Sequence, residues 1–416
     1  MPKFMPYKSA VTWCGRAGEL ATMRARKRRG SRRDAFFAII LLLLAPIAMT
    51  PAPAAARDEV GTGELAAARP GTVFRIWPLE GGVKAGYKGY RVLYRSTGLQ
   101  DEPIAVSAAI IFPAAGATSP RPVIAWAHPT SGVVTRCAPT LMPDLAGTIP
   151  GIDQFTDAGY VIVATDYPGL GAPGAHPYLI GKSAAYAVLD SVRAARTLKD
   201  VHAGKRFVVW GHSQGGHAAL FTGAEARSYA PDIELLGVAA AAPATNLIEL
   251  FDADRETSSG RSLTAMALYS WSRVFGFPLS DFVVPHAERS FGRLASDCIL
   301  DLADFMKEDR DEHALARNFL SSDPTKDARI RDIMQKNSTG MLPHGMPVFI
   351  AQGTSDELVR PKITRAYAKE LCGGGAKVKL HIMSGTPHLT AGMNAAYAAS
   401  QWMSLLFKGA TPPSDC

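Results

Sequence analysis

A serine set between two glycines is the first group in this sequence that could do chemistry. Ser213 lies in the pentapeptide Gly211–Gly215, directly after the apolar run Phe207–Trp210 and directly before a helical pattern over Gly216–Arg227. A serine on so tight a turn between strand and helix needs small neighbours, because larger side chains would clash there. The helix N-terminus behind it favours developing negative charge. The pattern therefore predicts a nucleophilic serine.

Such a serine needs a base to take its proton and a carboxylate to orient that base. Two later loops supply both groups: Asp356 follows the apolar run Val348–Gln352, and His388 follows the run Val378–Ile382. Serine, acid and histidine then occur in the chain order typical of a nucleophile on this kind of turn. We predict Asp356 as the acid, with Glu357 as the alternative, and His388 as the base.

Acyl transfer also needs two backbone N–H groups that bind the oxyanion. The amide of Gln214, the residue after the nucleophile, is the first candidate. The second should come from the loop after Val123–Ala127, where Pro129 has no N–H to offer. Thr130 is the preferred donor in that loop, and Ser131 is the alternative.

The other candidate groups are assigned structural roles. His212 lies within the turn and His217 on the helix behind it, so we expect both to pack or hydrogen-bond while the base comes from another loop. Gly169–Gly174 matches G-x-G-x-x-G, but a proline interrupts it and no helix begins there, so it is interpreted as a loop. No zinc, calcium or P-loop spacing occurs, and we predict no metal and no cofactor.

Strand patterns alternate with helical ones along the rest of the chain. Continuous apolar runs such as Val161–Thr165 are typical of parallel strands covered on both faces. Ser183–Leu198, with Ser183 as its N-cap, and Ala391–Leu406 have the period of helices. Two opening antiparallel strands and this alternation predict a mostly parallel central sheet with helices on both faces and an inserted helical block. Together with the strand, serine turn and helix around Ser213, this pattern predicts an α/β-hydrolase fold.

One block interrupts the alternation. Residues 246–343 show helical patterns and no convincing parallel strand. They are predicted to form an inserted helical cap, with residues 57–245 and 344–416 as the hydrolase core. The cap contains Trp271, Phe275 and an apolar cluster that follows them. We expect these side chains to form a binding groove or a membrane-facing patch.

Residues 1–56 have the three parts of a secretory leader. Arg24–Arg33 is basic, Ala35–Ile47 is apolar, and Pro51–Ala56 offers small residues for cleavage after Ala56 or Ala54. The apolar part is shorter than the roughly 20 residues that span a membrane, and an uncleaved anchor is the alternative. The pattern predicts a secreted or periplasmic protein with no stable transmembrane segment in the mature chain.

The formal net charge of +8 belongs to this leader, which holds ten Lys and Arg residues against two acidic ones. The remaining residues are balanced, so a nucleic-acid partner is not expected. After the leader, four cysteines remain: Cys137, Cys298, Cys372 and Cys416. An even number without C-x-x-C spacing favours two disulfides over a metal site, in any of three pairings.

The chain resembles the secretory lipase family, the fungal lipase-A-like family that also has bacterial members. The resemblance rests on Val123–Pro139, Gly159–Gly171 and His176–Arg196 in addition to the serine turn. It implies an α/β-hydrolase with a helical lid that cleaves ester bonds of acylglycerols and related lipids. It also implies the pairs Cys137–Cys298 and Cys372–Cys416. The family usually has H-G-T where this chain has Pro129 in the middle position.

We therefore predict a secreted serine ester hydrolase, most of all a triacylglycerol lipase, whose partner is a lipid or ester substrate, including one at a lipid–water interface. A peptidase or an acyltransferase on the same fold are the alternatives among enzymes. A non-catalytic surface-binding protein is the alternative from another class.

Overall fold

A nine-stranded sheet forms the centre of the molecule. The computed structural model describes residues 60–79, 83–299 and 319–416. The sheet order is β1-β2-β3-β5-β4-β6-β7-β8-β9, and β1, β2 and β3 pair antiparallel while β4 to β9 pair parallel to one another. The strands are β1 Val73–Pro78, β2 Tyr87–Thr97, β3 Pro103–Pro113, β4 Arg121–Ala127, β5 Val161–Thr165, β6 Ala203–His212, β7 Glu234–Ala241, β8 Pro347–Gly353 and β9 Lys377–Met383. The mostly parallel sheet predicted from the alternation is confirmed, and β1 is a strand that the sequence pattern missed.

Helices cover both faces of this sheet. The helices in the described residues are α1 Thr62–Ala67, α2 Ile152–Asp157, α3 Gly181–Thr197, α4 Gln214–Tyr229, α5 Leu247–Asp254, α6 Ser258–Phe275, α7 Glu288–Ala295, α8 Ala328–Lys336, α9 Pro361–Gly373 and α10 Ala391–Phe407. Successive strand side chains point to opposite faces, and in β4 Ile124 and Trp126 belong to one buried cluster while Val123 and Ala125 belong to the other. This two-sided burial explains why the parallel strands are continuously apolar.

Helix α3 begins two residues before the predicted N-cap. Ser183 lies inside the helix and is buried, and the residue at the cap position, Ile180, has no capping side chain. The first helical N–H, that of Gly181, instead donates to the Asn337 side-chain oxygen over 2.9 Å. The group that caps this helix is therefore 156 residues away in the sequence. The prediction of Ser183 as the N-cap was wrong.

Helices α5 to α8 lie in the described part of the stretch between β7 and β8. In the described part of that stretch, strand-like pairing is limited to one isolated bridge, Val283 with Leu320. Trp271 of α6 is fully buried and donates from Nε1 to the backbone oxygen of Tyr178 over 2.8 Å. Residues of α6 share a buried cluster with Trp126 and Trp210 of the sheet. Residues of these helices thus belong to the same buried cluster as one face of the central sheet.

The described residues contain two disulfides, Cys137–Cys298 and Cys372–Cys416. These are the pairs that the resemblance implies. The second one holds the C-terminal tail along β9, where the Asp415 amide donates to the Val378 oxygen over 2.7 Å. Within the described ranges, no helix is long and apolar enough to cross a membrane. The leader predicted at residues 1–56 lies outside the described residues.

Candidate active site

Ser213 lies at the sharp turn between β6 and α4. Its backbone has φ 55° and ψ −118°, a conformation that non-glycine residues rarely adopt. A Cβ on Gly211 would lie 2.0 Å from the Gly215 oxygen, and one on Gly215 would lie 1.9 Å from the Ala127 oxygen. Only glycine fits at both positions. The turn holds the serine side chain at the start of α4, where the helix dipole is positive.

The three residues predicted as a triad are in hydrogen-bond contact. His388 Nε2 lies 2.9 Å from the Ser213 Oγ, and His388 Nδ1 lies 2.9 Å from the Asp356 Oδ2. With Nδ1–H donating to the carboxylate, Nε2 is the nitrogen that accepts from the serine hydroxyl. Asp356 follows β8 and His388 follows β9, as the sequence pattern predicted.

Asp356 accepts hydrogen bonds from three neighbouring groups as well as contacting His388. The side chain is buried and accepts from the amides of Leu358 and Val359 over 3.1 and 2.8 Å. Gln352 Nε2 donates to it over 3.1 Å. Glu357, the alternative acid, is exposed. The structure thus brings Asp356, and not Glu357, to the base.

The two histidines near the turn are buried and bond to backbone oxygens. His212 Nε2 donates to the His388 oxygen over 3.0 Å, and His217 Nε2 donates to the Asn337 oxygen over 2.8 Å. Burial lowers the pKa of His212 to about 3, with a smaller contribution from His388, and lowers the pKa of His217 to about 4. Both rings are therefore neutral at neutral pH.

The two predicted oxyanion donors have different surroundings. Gln214 lines the pocket that contains Ser213, whereas Thr130 lines a neighbouring pocket with Ser131. A hydrogen bond of 2.8 Å joins the Thr130 hydroxyl to the Tyr178 hydroxyl, and Tyr178 lines the serine pocket. The Thr130 loop therefore reaches the serine pocket through Tyr178, and the roles of both amides stay predictions.

The Cys137–Cys298 bond ties the loop after β4 to the helices between β7 and β8. The amide of Ile299, next to Cys298, donates to the Ser131 oxygen over 3.0 Å. The Arg136 guanidinium also hydrogen-bonds the Ser296 oxygen. One covalent bond and two hydrogen bonds thus fix this loop, which contains both candidate donors of the second amide.

A mostly apolar pocket opens beside Ser213. Residues of helices α5 and α6 form part of its lining. Trp271 and Phe275 of α6 are not among the lining residues. The lining residues are Tyr178, Leu179, Ser213, Gln214, Ala244, Leu250, Phe251, Asp254, Gly260, Leu263, Leu358 and Val359. Apolar walls of this kind bind small organic groups.

The apolar cluster expected to form a groove or a membrane-facing patch is mostly core. Trp271, Phe282 and Val283 are at most 1% exposed, and Phe275 alone among the expected aromatic residues is well exposed, at 45%. They pack against one another and against the sheet in one cluster. The expectation was wrong for the cluster because helical periodicity does not show whether the apolar face meets water or protein.

Two polar residues at the pocket were missed in the sequence. His176 donates from Nδ1 to the Pro168 oxygen over 2.8 Å, so its Nε2 accepts from the Gln214 side chain over 3.2 Å. Burial lowers the pKa of His176 to about 4, which keeps it neutral. The second residue is Asp254, a buried acid at the end of α5. His176 begins the segment His176–Arg196 on which the family resemblance rests, but neither residue lies in a catalytic motif, so nothing in the sequence indicated their place near Ser213.

No cluster of His, Cys, Asp and Glu side chains in the described part of the chain could hold a metal ion.

The sequence model of the family described as "Secretory lipase" matches residues 150–415. The chain belongs to the secretory lipase family. Its fold is the α/β-hydrolase fold, and its family is one of lipases and esterases. The matched segment contains all three residues of the hydrogen-bonded triad.

Curated relatives of this secretory lipase family member are fungal and bacterial. It is 22% identical to "Lipase A" of Moesziomyces aphidis over 365 residues, which cover 79% of this chain and 74% of the relative. It is 27% identical to a secreted triacylglycerol lipase of Malassezia furfur, over 60% of this chain and 48% of the relative. A relative from Mycobacterium tuberculosis, 23% identical over 82% of this chain and 79% of its own length, is named "Probable inactive lipase MT1628".

Solved structures share the fold of this secretory lipase family member. Candida antarctica lipase A in its closed state aligns with a TM-score of 0.70 at 19% identity, over 84% of both chains. The rice cell wall degrading esterase LipA from Xanthomonas oryzae aligns with a TM-score of 0.62 at 19% identity, over 82% of this chain and 98% of its own.

Proposed function

We propose that this protein is a secreted serine hydrolase of carboxylic esters, and specifically a lipase that works through an acyl-enzyme at Ser213. The observation that carries the proposal is the unbroken hydrogen-bonded series from the Ser213 hydroxyl through His388 to the Asp356 carboxylate. An inactive family member would be expected to lack one of these groups or their contact. This chain keeps all three in contact.

The reaction begins when the Ser213 Oγ attacks the ester carbonyl and His388 Nε2 takes the hydroxyl proton. The carboxylate of Asp356 stabilises the resulting imidazolium and holds it in position. The tetrahedral intermediate collapses as His388 returns the proton to the leaving alkoxide, which departs as the alcohol. A water molecule activated by His388 then attacks the acyl-enzyme, and the acid is released with Ser213 restored.

The negative oxygen of each tetrahedral intermediate is stabilised by backbone N–H groups. We assign the Gln214 amide and the Thr130 amide to this role, with Ser131 as the alternative to Thr130. Gln214 is the first residue of α4, where N–H groups have no partner within the helix. The bond from its side chain to His176 holds the residue in place.

The substrate class follows from the pocket and from the family. The walls contributed by Leu250, Phe251 and Leu263 suit an acyl chain or another largely apolar group. Several relatives are named as lipases, one of them as a triacylglycerol lipase. Because α5 and α6 supply these walls, we propose that residues 246–343 form the cap of a core made of residues 57–245 and 344–416.

An exposed apolar stripe beside the base supports action at a lipid–water interface. Leu389, Met393 and Tyr397 are 53%, 56% and 66% exposed and recur every four residues, which places them on one helical face. Helix α10, which carries the last two, contains no charged residue. Since Leu389 is next to His388, this stripe would face the same lipid surface as the active site.

Export is part of the proposal. Two disulfides are typical of proteins that fold in an oxidising compartment. The family model's description as secretory agrees with this. The leader predicted at residues 1–56 would direct the protein out of the cytoplasm.

Replacement of the nucleophile tests the function. Ser213→Ala should lower kcat on p-nitrophenyl butyrate by about 10³-fold or more and abolish labelling by a fluorophosphonate probe. Ser228→Ala, an exposed serine on the same helix, is the matched control and should keep both. Retention of more than a tenth of the activity by Ser213→Ala would contradict the assignment.

A further inference from the structure

An acidic side chain lies in the wall of the otherwise mostly apolar pocket beside Ser213. Asp254 is the last residue of α5, lines that pocket, and is only 2% exposed. A plain alkyl chain forms no favourable interaction with a carboxylate at such a place, because a buried charge next to hydrocarbon is unfavourable. The residue therefore needs a physical explanation.

Neither Asp254 carboxylate oxygen accepts a hydrogen bond of good geometry from the described residues. Arg360 approaches it, with Nε 3.4 Å from Oδ1, while the Arg360 Nη2 donates to the Ala253 oxygen over 2.6 Å. Burial raises the pKa of Asp254 to about 6, against the opposing effect of Arg360. Asp254 is thus a desolvated acceptor with one long ion pair to Arg360, and most of its hydrogen-bonding capacity is not used by its described neighbours.

A second acceptor lies in the same pocket. The side-chain oxygen of Gln214 is buried and accepts no hydrogen bond within the described residues. Its amide nitrogen is already engaged with His176. The pocket therefore combines apolar walls with two acceptors that require a donor, and Asp254 is the stronger of the two because it can carry charge.

The charges around Asp254 select the kind of donor. An anionic substrate group would be repelled by the carboxylate. A substrate ammonium group would lie close to the Arg360 guanidinium, which already balances the carboxylate charge. A neutral hydroxyl donates a hydrogen bond without adding charge. It is therefore the group that fits this site.

We propose that Asp254 determines specificity in the Ser213 pocket by accepting a hydrogen bond from a hydroxyl group on the part of the ester that enters it. The substrate class is then esters of hydroxylated acyl or alcohol groups, in preference to plain alkyl esters. Sites built to hydrogen-bond a substrate hydroxyl discriminate strongly against analogues that lack it, since the buried protein group is left unpaired. The inference rests on the proposed ester hydrolase function and names the substrates of the same site.

Two matched ester pairs test this inference. They also show whether the hydroxyl that Asp254 recognises lies on the acyl part or on the alcohol part of the ester. Methyl 6-hydroxyhexanoate is compared with methyl hexanoate for the acyl side, and 4-hydroxybutyl acetate with butyl acetate for the alcohol side. In wild type, one of the two pairs should show a kcat/KM at least tenfold higher for the hydroxylated ester. Asp254→Leu should remove that preference, and Asp254→Asn, which keeps an acceptor, should retain part of it. Asp252→Leu, an exposed acid on the same helix, should leave the ratio unchanged.

A ratio near one in wild type for both pairs, or a preference that survives in Asp254→Leu, would overturn the inference. The wild-type ratio decides alone if the leucine variant does not fold. Equilibrium binding of the same esters to Ser213→Ala gives a readout that needs no turnover, and the hydroxylated member should bind more tightly. If the wild-type protein showed neither ester hydrolysis that depends on Ser213 nor labelling by a fluorophosphonate, the proposed function would be refuted instead. The binding comparison would still report on Asp254.

Discussion

His212 and His388 are joined directly: the His212 Nε2–H donates to the His388 backbone oxygen over 3.0 Å, and the two ring centroids lie 5.1 Å apart. This bond fixes the His388 loop to the end of β6, directly before Ser213. His212→Leu should therefore misplace the His388 ring and lower kcat by about tenfold or more, since small displacements are costly in catalysis. Steady-state kinetics on a soluble ester measure this.

His217→Leu is the matched control, because it removes a second buried histidine that bonds to Asn337 and not to the base loop. An equal loss of kcat in both variants, normalised to probe-labelled active sites, would show that the His212 bond has no special role.

Asp356→Asn should lower kcat by about 10²- to 10⁴-fold. The asparagine keeps the shape of the side chain but neither carries the charge that stabilises the imidazolium nor preserves the histidine tautomer. Glu357→Gln should have nearly wild-type kinetics, since Glu357 is exposed. If the glutamine variant were the one that lost activity, the assignment of the acid would be wrong.

Met393→Glu should reduce activity on emulsified tributyrin several-fold and leave hydrolysis of dissolved p-nitrophenyl acetate close to wild type. A charge in the centre of the exposed stripe opposes its contact with lipid, while the triad is untouched. Met341→Glu provides the comparison, because Met341 is similarly exposed, at 51%, but lies before β8 and outside the stripe. If Met393→Glu lost activity equally on both substrates, Met393 would have a role in folding and not in contact with lipid.

Much of this arrangement could be predicted from the order of strands, turns and helices. Ser213, Asp356 and His388 each follow an apolar run, and the carboxyl ends of such runs meet at one edge of a parallel sheet. The N-terminus of α3 could not be predicted, because its capping group is the distant Asn337. Asp254 resembles any surface acid on an amphipathic helix. Only the packing of α5 onto the active site shows that it is buried.

The free energy of unfolding should fall as the pH is lowered from about 6.5 to about 4. Burial lowers the pKa of four histidines to about 3 for His212 and about 4 for His128, His176 and His217. Their ordinary value in an unfolded chain is about 6.5, so the unfolded chain binds more protons in this window. Each histidine contributes a loss of up to about 1.4 kcal/mol per pH unit.

Three buried acids act in the opposite direction, because burial raises the pKa of Asp166 and Asp254 to about 6 and also raises the pKa of Asp190, so their folded forms bind protons first. They are outnumbered by the histidines, so the net effect is a loss of stability in acid. Urea unfolding at pH 7 and pH 5 measures it. His217→Gln should weaken the pH dependence by up to about one proton, whereas His344→Gln, at an exposed position, should not change it.

The Cys372–Cys416 bond has a consequence for how the molecule behaves among its own copies. Strand β9 ends the sheet, and an uncovered end strand is a template on which another chain can add a strand. Here the tail covers it: the Asp415 amide bonds to Val378, and the Asp415 carboxylate accepts from the Leu380 amide over 2.7 Å. The disulfide fastens this cover covalently, so reduction frees the last residues and opens the β9 edge to self-association.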